Sequence, residues 1–170
     1  SEKEKFDGVM LDIEPYISDS WKENPEEYMD RYISCMKKGY KFAQKNHLRT
    51  AICIPRHYDN QGLTSGLEEL IKETCDEVAV MNYSCGNEIE AIRTEAALSE
   101  KYGKELHCIL EFQEVGKHGL TENKTYRNKG IDNAKETWEK LQKEYKNINV
   151  TRDYHWSRPV REMLEEKNAD

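Results

Sequence analysis

Asp12 and Glu14 stand two residues apart in the stretch Asp7-Gly8-Val9-Met10-Leu11-Asp12-Ile13-Glu14-Pro15-Tyr16. Residues at i and i+2 of a strand face the same side, so both carboxyls enter one space. Like charges held together raise the pKa of one partner and make it a usable general acid. The ordinary structural reading of such a pair is a capped or salt-bridged strand end. Chemistry therefore depends on what else converges on the same space.

Other candidates recur at the ends of later apolar runs. Arg56, His57, Tyr58 and Asp59 follow one run, Asn82 and Tyr83 the next, and Glu111, Gln113 and Glu114 the one after. Arg152, Asp153, Tyr154, His155 and Trp156 close the last. Carboxylates do acid/base work and aromatic faces stack on pyranose rings, so acids, aromatics and amides together suit a neutral sugar. Tyr16 and Trp21 lie just beyond Glu14, where each could wall a cleft or cover the first helix. Arg56 could hold a charged sugar substituent or pair with Asp12. His57 with Asp59 offers an acid/base pair, although a histidine in a polar loop is more often only polar. Asp153 and His155 lack a third ligand at a recognisable spacing, so no metal site is expected. No cofactor is called for.

The elements that must carry these residues alternate. Apolar runs at 6–13, 50–54, 77–81 and 106–110, with a weaker one at 148–151, read as strands. Between them lie helical patterns. In the first, Asn24-Pro25 serves as N-cap and first helical position, and Met29, Ile33, Met36, Tyr40 and Ala43 form one stripe. Further helices are expected at 63–74, 87–102 (stopped by Gly103), 132–145 and from about Pro159, with 165–170 frayed. Strand–helix alternation is the signature of βα units on a parallel sheet. Five such units form one α/β domain over residues 1–170. A closed eight-stranded barrel takes about 250 residues, so either three N-terminal units lie elsewhere or the sheet is open. The stretch from Phe112 to Gly130 is a long connection, of a length that is usually functional or mobile.

The chain has 170 residues, 36% hydrophobic and 35% charged, with a formal net charge of -7. An acidic balance argues against nucleic acid or an anionic membrane as partner. No apolar run is long enough to span a bilayer. The start, Ser1-Glu2-Lys3-Glu4-Lys5, does not read as a signal peptide. The five cysteines include no CxxC pair and read as reduced and structural, which leans towards a reducing compartment.

The stretch Asp7-Gly8-Val9-Met10-Leu11-Asp12-Ile13-Glu14 resembles the DGxDxDxE signature on the fourth strand of family 18 glycoside hydrolases, the chitinase-like (β/α)8 barrels. Met81-Asn82-Tyr83 is similar to that family's M-x-Y element on its sixth strand, and Trp156 falls where the family places a tryptophan under the sugar. The resemblance covers most of the chain as strands four to eight, the C-terminal part of a TIM barrel. It implies that Glu14 protonates the glycosidic oxygen, that Asp12 steadies the substrate's N-acetyl group, and that Tyr83 helps hold that group. Tyr16, Arg56, Asn82 and Trp156 would complete a carbohydrate site. Glycosidase barrels of the two-carboxylate kind imply a second scheme, with Glu14 and Glu111 as the pair. A separation of about 5–5.5 Å would then give retention and about 6.5–9.5 Å inversion. Met10 and Ser84 depart from the family pattern, which fits the alternative of a barrel that binds glycan without cutting it. The resemblance leans towards export or the cell surface, against the lean of the cysteines. Five units leave two sheet edges, so self-association or pairing with an N-terminal half is expected.

Overall fold

The structure, a computed structural model, describes residues 5–169. Five strands, β1 (Gly8–Asp12), β2 (Arg49–Pro55), β3 (Glu77–Met81), β4 (Glu105–Glu111) and β5 (Val150–His155), form one sheet in the order β1-β2-β3-β4-β5. Every neighbouring pair is parallel. The helices are α1 (Asp19–Glu23), α2 (Pro25–Lys45), α3 (Thr64–Thr74), α4 (Glu88–Ala91), α5 (Arg93–Tyr102), α6 (Ile131–Glu144) and α7 (Ser157–Ala169). Sequential parallel strands joined by helical crossovers are the arrangement of a partial (β/α) barrel, in which right-handed connections place all helices on one face.

The ladder register shows the two faces. Leu11, Ile52, Ile54, Val80, Leu106 and Cys108 share one face and pack into the main core with the apolar stripes of α2, α3, α5, α6 and α7. The opposite face carries Asp12, Cys53, Ala79, Ile109, Met81 and Tyr83. Its small cluster contains strand residues and Tyr83 but no helical residue. This second face corresponds to the barrel interior. Small residues at its centre, Cys53 and Ala79, let the sheet curl towards it.

Local chemistry explains most boundaries. The Asn24 side chain accepts from the Glu27 amide and Pro25 opens α2. Gly103 ends α5 in the left-handed region at φ 63. Gly8 is required by crowding, since a Cβ there would lie 2.8 Å from the Arg49 carbonyl.

Three expectations are corrected. The helix read over 87–102 is broken at Ile92 (φ -125) into α4 and α5. The carbonyls of Glu88 and Ile89 are taken by the Asn82 amide and the Tyr145 hydroxyl, which interrupts the ladder. The last strand begins at Val150 rather than Ile148, because Gln142 binds both the Ile148 carbonyl and the Val150 amide. The last helix begins at Ser157 and continues through 165–169, expected to fray; Asp170 and the start at 1–4 lie outside the described residues.

Among the described residues, β1 and β5 each pair on one side only. Phe6, Met10, Ile13 and Ile17 are exposed along the β1 edge, and Tyr154 and Trp156 at β5. Exposed strand edges template further pairing. The 170-residue chain is therefore expected to sediment as an associated species. A folded monomer at micromolar concentration would contradict this.

Candidate active site

A cavity of about 680 Å³ opens at the C-terminal ends of the strands, on the helix-free side. It gathers Asp12, Glu14 and Tyr16 from β1 and its following turn, Arg56 and His57 after β2, and Tyr83 after β3. Glu111, Gln113, His155 and Trp156 complete it from β4, β5 and their ends. The chain's strand alternation accounts for this set. Asp12, Tyr83, Glu111 and His155 all belong to the inward register, and Glu111 stands directly beside His155 in the β4–β5 ladder.

Glu14 follows the end of β1, and the 3-10 turn Pro15–Ile17 brings Tyr16 back over it. The Tyr16 hydroxyl donates to one Glu14 carboxylate oxygen, leaving the other free for a ligand. Tyr16 is fixed in turn by edge contacts with His57 (5.2 Å) and Tyr58 (6.2 Å). Burial and the bond to Glu14 push the Tyr16 hydroxyl far above its ordinary pKa, so it remains a donor. Partial desolvation, then the neighbouring Glu14 charge, raise the Asp12 carboxyl, while His155 pulls it back. Burial and then the Glu111 charge likewise raise Tyr83.

Glu111 has a different task from the one its position suggests. Its side chain is 2% exposed. One oxygen accepts the Phe112 and Gln113 amides at 2.8 Å each, and the other faces His155 Nδ1 at 2.9 Å and Gln113 Nε2 at 3.3 Å. Burial alone would raise this carboxyl, but the bonds from His155 and the two amides outweigh it and hold it below the usual carboxylate range. A carboxylate so fully engaged has no free oxygen for attack on a sugar. Glu111 serves here as the anchor of His155, a correction to the two-carboxylate scheme. The same bond raises the His155 imidazole against the opposing effect of burial, with Asp12 and Glu14 adding to the rise. Glu111→Gln is expected to lower the His155 pKa towards its ordinary value and to destabilise the fold by about 2 kcal/mol, the scale of mispairing a buried charged bond. Proton NMR of the imidazole and a denaturant titration check both. The pair's contribution is full between the unfolded carboxylate and unfolded histidine values; it fades as pH rises through the raised histidine value and as pH falls through the depressed carboxylate one.

Asn82 does not reach the cavity. It is 1% exposed, and its amide binds the Glu88 carbonyl at 2.9 Å on the helix side. Alternation between Met81 and Tyr83, both inward, turns it away. Trp21 is likewise core, stacked on Tyr58 at 5.5 Å, so it covers the first helix and walls no cleft. Glu114 pairs weakly with Lys117 outside the cavity lining. Asp153 bonds His107 Nδ1 at 2.8 Å, a layer below His155, which is held by Glu111, so each is engaged elsewhere.

Comparison with protein-family models, with curated proteins and with solved structures returns no match.

Sequence reasoning passed over two contributors to the cavity, His118 and Lys124. Both come from the long connection after β4, which is pinned by bonds from Thr125 to the Gln113 carbonyl (2.6 Å) and from the Cys85 amide to Asn123 (2.9 Å). Its length was the available signal. Away from the cavity, Glu77, Glu105 and His107 place their ligand atoms within 4.8 Å of one another. The Arg49 guanidinium already bridges the two acids, at 2.6 and 2.9 Å, and supplies the positive charge there.

Proposed function

We propose that this chain carries the active site of a glycoside hydrolase, with Glu14 as general acid/base and the cavity over β1–β5 as its sugar site. The observation that carries the reading is the convergence of Asp12 and Glu14 with Tyr16, Tyr83 and Trp156 on one open cavity at the strand ends. A carboxyl held by a tyrosine hydroxyl, with one oxygen turned to the cleft, can lend and retrieve a proton at a glycosidic oxygen. The resemblance of the β1 segment to the chitinase-like motif supports an N-acetylglucosamine-containing substrate. Asp12, beside Glu14, is then the group that accepts the N-acetyl N–H while the N-acetyl carbonyl oxygen attacks the anomeric carbon and the glycosidic bond breaks. Trp156, exposed at the rim, offers a face for a pyranose ring.

A second reading has its own support. Met10 occupies the inward position below Asp12 and is exposed, so a third carboxylate is absent from the stack. This fits a cavity that holds glycan without turnover. Methylumbelliferyl glycosides of N-acetylglucosamine, its dimer and common neutral hexoses, measured by fluorescence release, separate the two. Release supports the hydrolase. Saturable binding of the same glycosides with no release, and loss of that binding in Trp156→Ala, gives the second reading.

A further inference from the structure

We infer that the cavity takes a sugar bearing a carboxylate, a uronic-acid unit, with Arg56 as the residue that recognises it. The inference rests on the proposed glycan site and names its substrate class.

The β1 side of the cavity holds Asp12 and Glu14. Glu111 and His155 form an internal ion pair that leaves little net charge. The remaining lining charges are Arg56, directly after β2, and Lys124, from the connection after β4. In a chain with a net charge of -7, these two cations balance the two acids of the β1 side and concentrate positive charge on the other walls of the cavity. Among the described residues, neither cation has a side-chain hydrogen-bond or ion-pair partner; Arg152 and Arg161 also lack one but are exposed, whereas Arg31, Arg49, Arg93, Arg127 and Arg158 are paired.

Arg56 is partly buried, in contrast to a freely solvated surface arginine. Laying a neutral pyranose over it would strip water from a guanidinium and return for the lost bonds only single, uncharged hydroxyl acceptors. A planar carboxylate replaces them with two parallel charge-assisted bonds, which the guanidinium fork fits in a way an ammonium does not. The neighbouring His57 is held below its ordinary pKa by burial and then by the Arg56 charge, so it leaves Arg56 as the cation on that wall. The acids at β1 and the cation at β2 stand on adjacent strands. A uronic-acid ring joined through the glycosidic oxygen at Glu14 to the N-acetylglucosamine unit would set its carboxylate at Arg56.

The test is binding by titration calorimetry. Methyl β-glucuronide, methyl β-glucoside and methyl β-glucoside 6-sulfate are each titrated into the wild-type chain, Arg56→Gln and Glu14→Gln, with near-ultraviolet circular dichroism confirming that each variant is folded. The glucuronide is expected to bind about tenfold or more tighter than the glucoside, the scale of one charge-assisted pair. That preference is expected to vanish in Arg56→Gln and to persist in Glu14→Gln. Equal binding of glucuronide and glucoside, no measurable glucuronide binding, or a preference that survives Arg56→Gln overturns the inference. A sulfate preferred over the carboxylate overturns the assignment to uronic acids. Failure of the hydrolase reading looks different, since it leaves the Arg56-dependent preference in place with no turnover by the wild-type chain.

Discussion

Glu14→Gln is expected to lower glycoside turnover by about 10²–10⁴-fold while leaving the fold unchanged, the range typical of losing a positioned general acid. Glutamine keeps the size of the side chain and still accepts from the Tyr16 hydroxyl through its amide oxygen, so the packing of Tyr16 against His57 and Tyr58 survives. What it lacks is a transferable proton. An internal control comes from Asp12, whose carboxyl is raised by desolvation first and by the Glu14 charge second. Removing that charge should lower the Asp12 pKa, measurable by carboxyl-carbon NMR in the same variant. A variant with unchanged Asp12 titration would mean that the two acids do not share a space. A variant retaining wild-type turnover would remove Glu14 from the chemistry. The two readouts therefore separate a wrong role from a wrong geometry.

The inward face of the sheet was readable where hydropathy and alternation agreed. Asp12 and Glu14 could be assigned to one side from their spacing alone, and the cavity contains both. The same alternation, applied to Met81-Asn82-Tyr83, sends Asn82 to the helices. Grouping it with Tyr83 as a strand-end pair overlooked that parity. The anchoring of His155 by Glu111 was beyond sequence reading because it depends on the β4–β5 register, which brings together residues 44 apart. β5 itself was misplaced for a physical reason. Thr151, Arg152, Asp153, Tyr154 and His155 carry polar groups on an edge strand whose inward face meets the cavity, so no apolar period marks them. The apolar signal lies upstream at Ile148, in a turn that Gln142 holds. The break at Ile92 is hidden for a similar reason, since side chains 6 and 56 residues away from Glu88 and Ile89 divert carbonyls that a local helix pattern assigns to the ladder.

Glu95 is a costly residue in the fold by the same physical rules, and its replacement should show this. It lies on α5 at 0% exposure, and neither carboxylate oxygen has a hydrogen-bond partner. Burial pushes its carboxyl up to about 7, and the charge of Asp59 adds to the push, against the pull of Arg56. The unfolded chain releases this proton near pH 4.3, so between there and pH 7 the folded state binds more protons than the unfolded one. Stability therefore falls as pH rises through that window, by about 3 kcal/mol in total, and levels off above it. Glu95→Met fills the same volume without a charge and removes the slope. It is expected to raise the melting temperature at pH 8 by roughly 5–10 °C, with the gain more than halved at pH 5. An equal gain at both pH values, or none at pH 8, would show that the acid is solvated or paired in solution. Glu95 does not line the cavity, and the pull of Arg56 on it is purely electrostatic. The Glu95→Met protein, relieved of an anion near Arg56, should accordingly keep or strengthen the Arg56-dependent preference for a glucuronide at pH 8 while it gains stability. A gain in stability with the preference lost would show that Glu95 shapes the Arg56 wall by more than its charge.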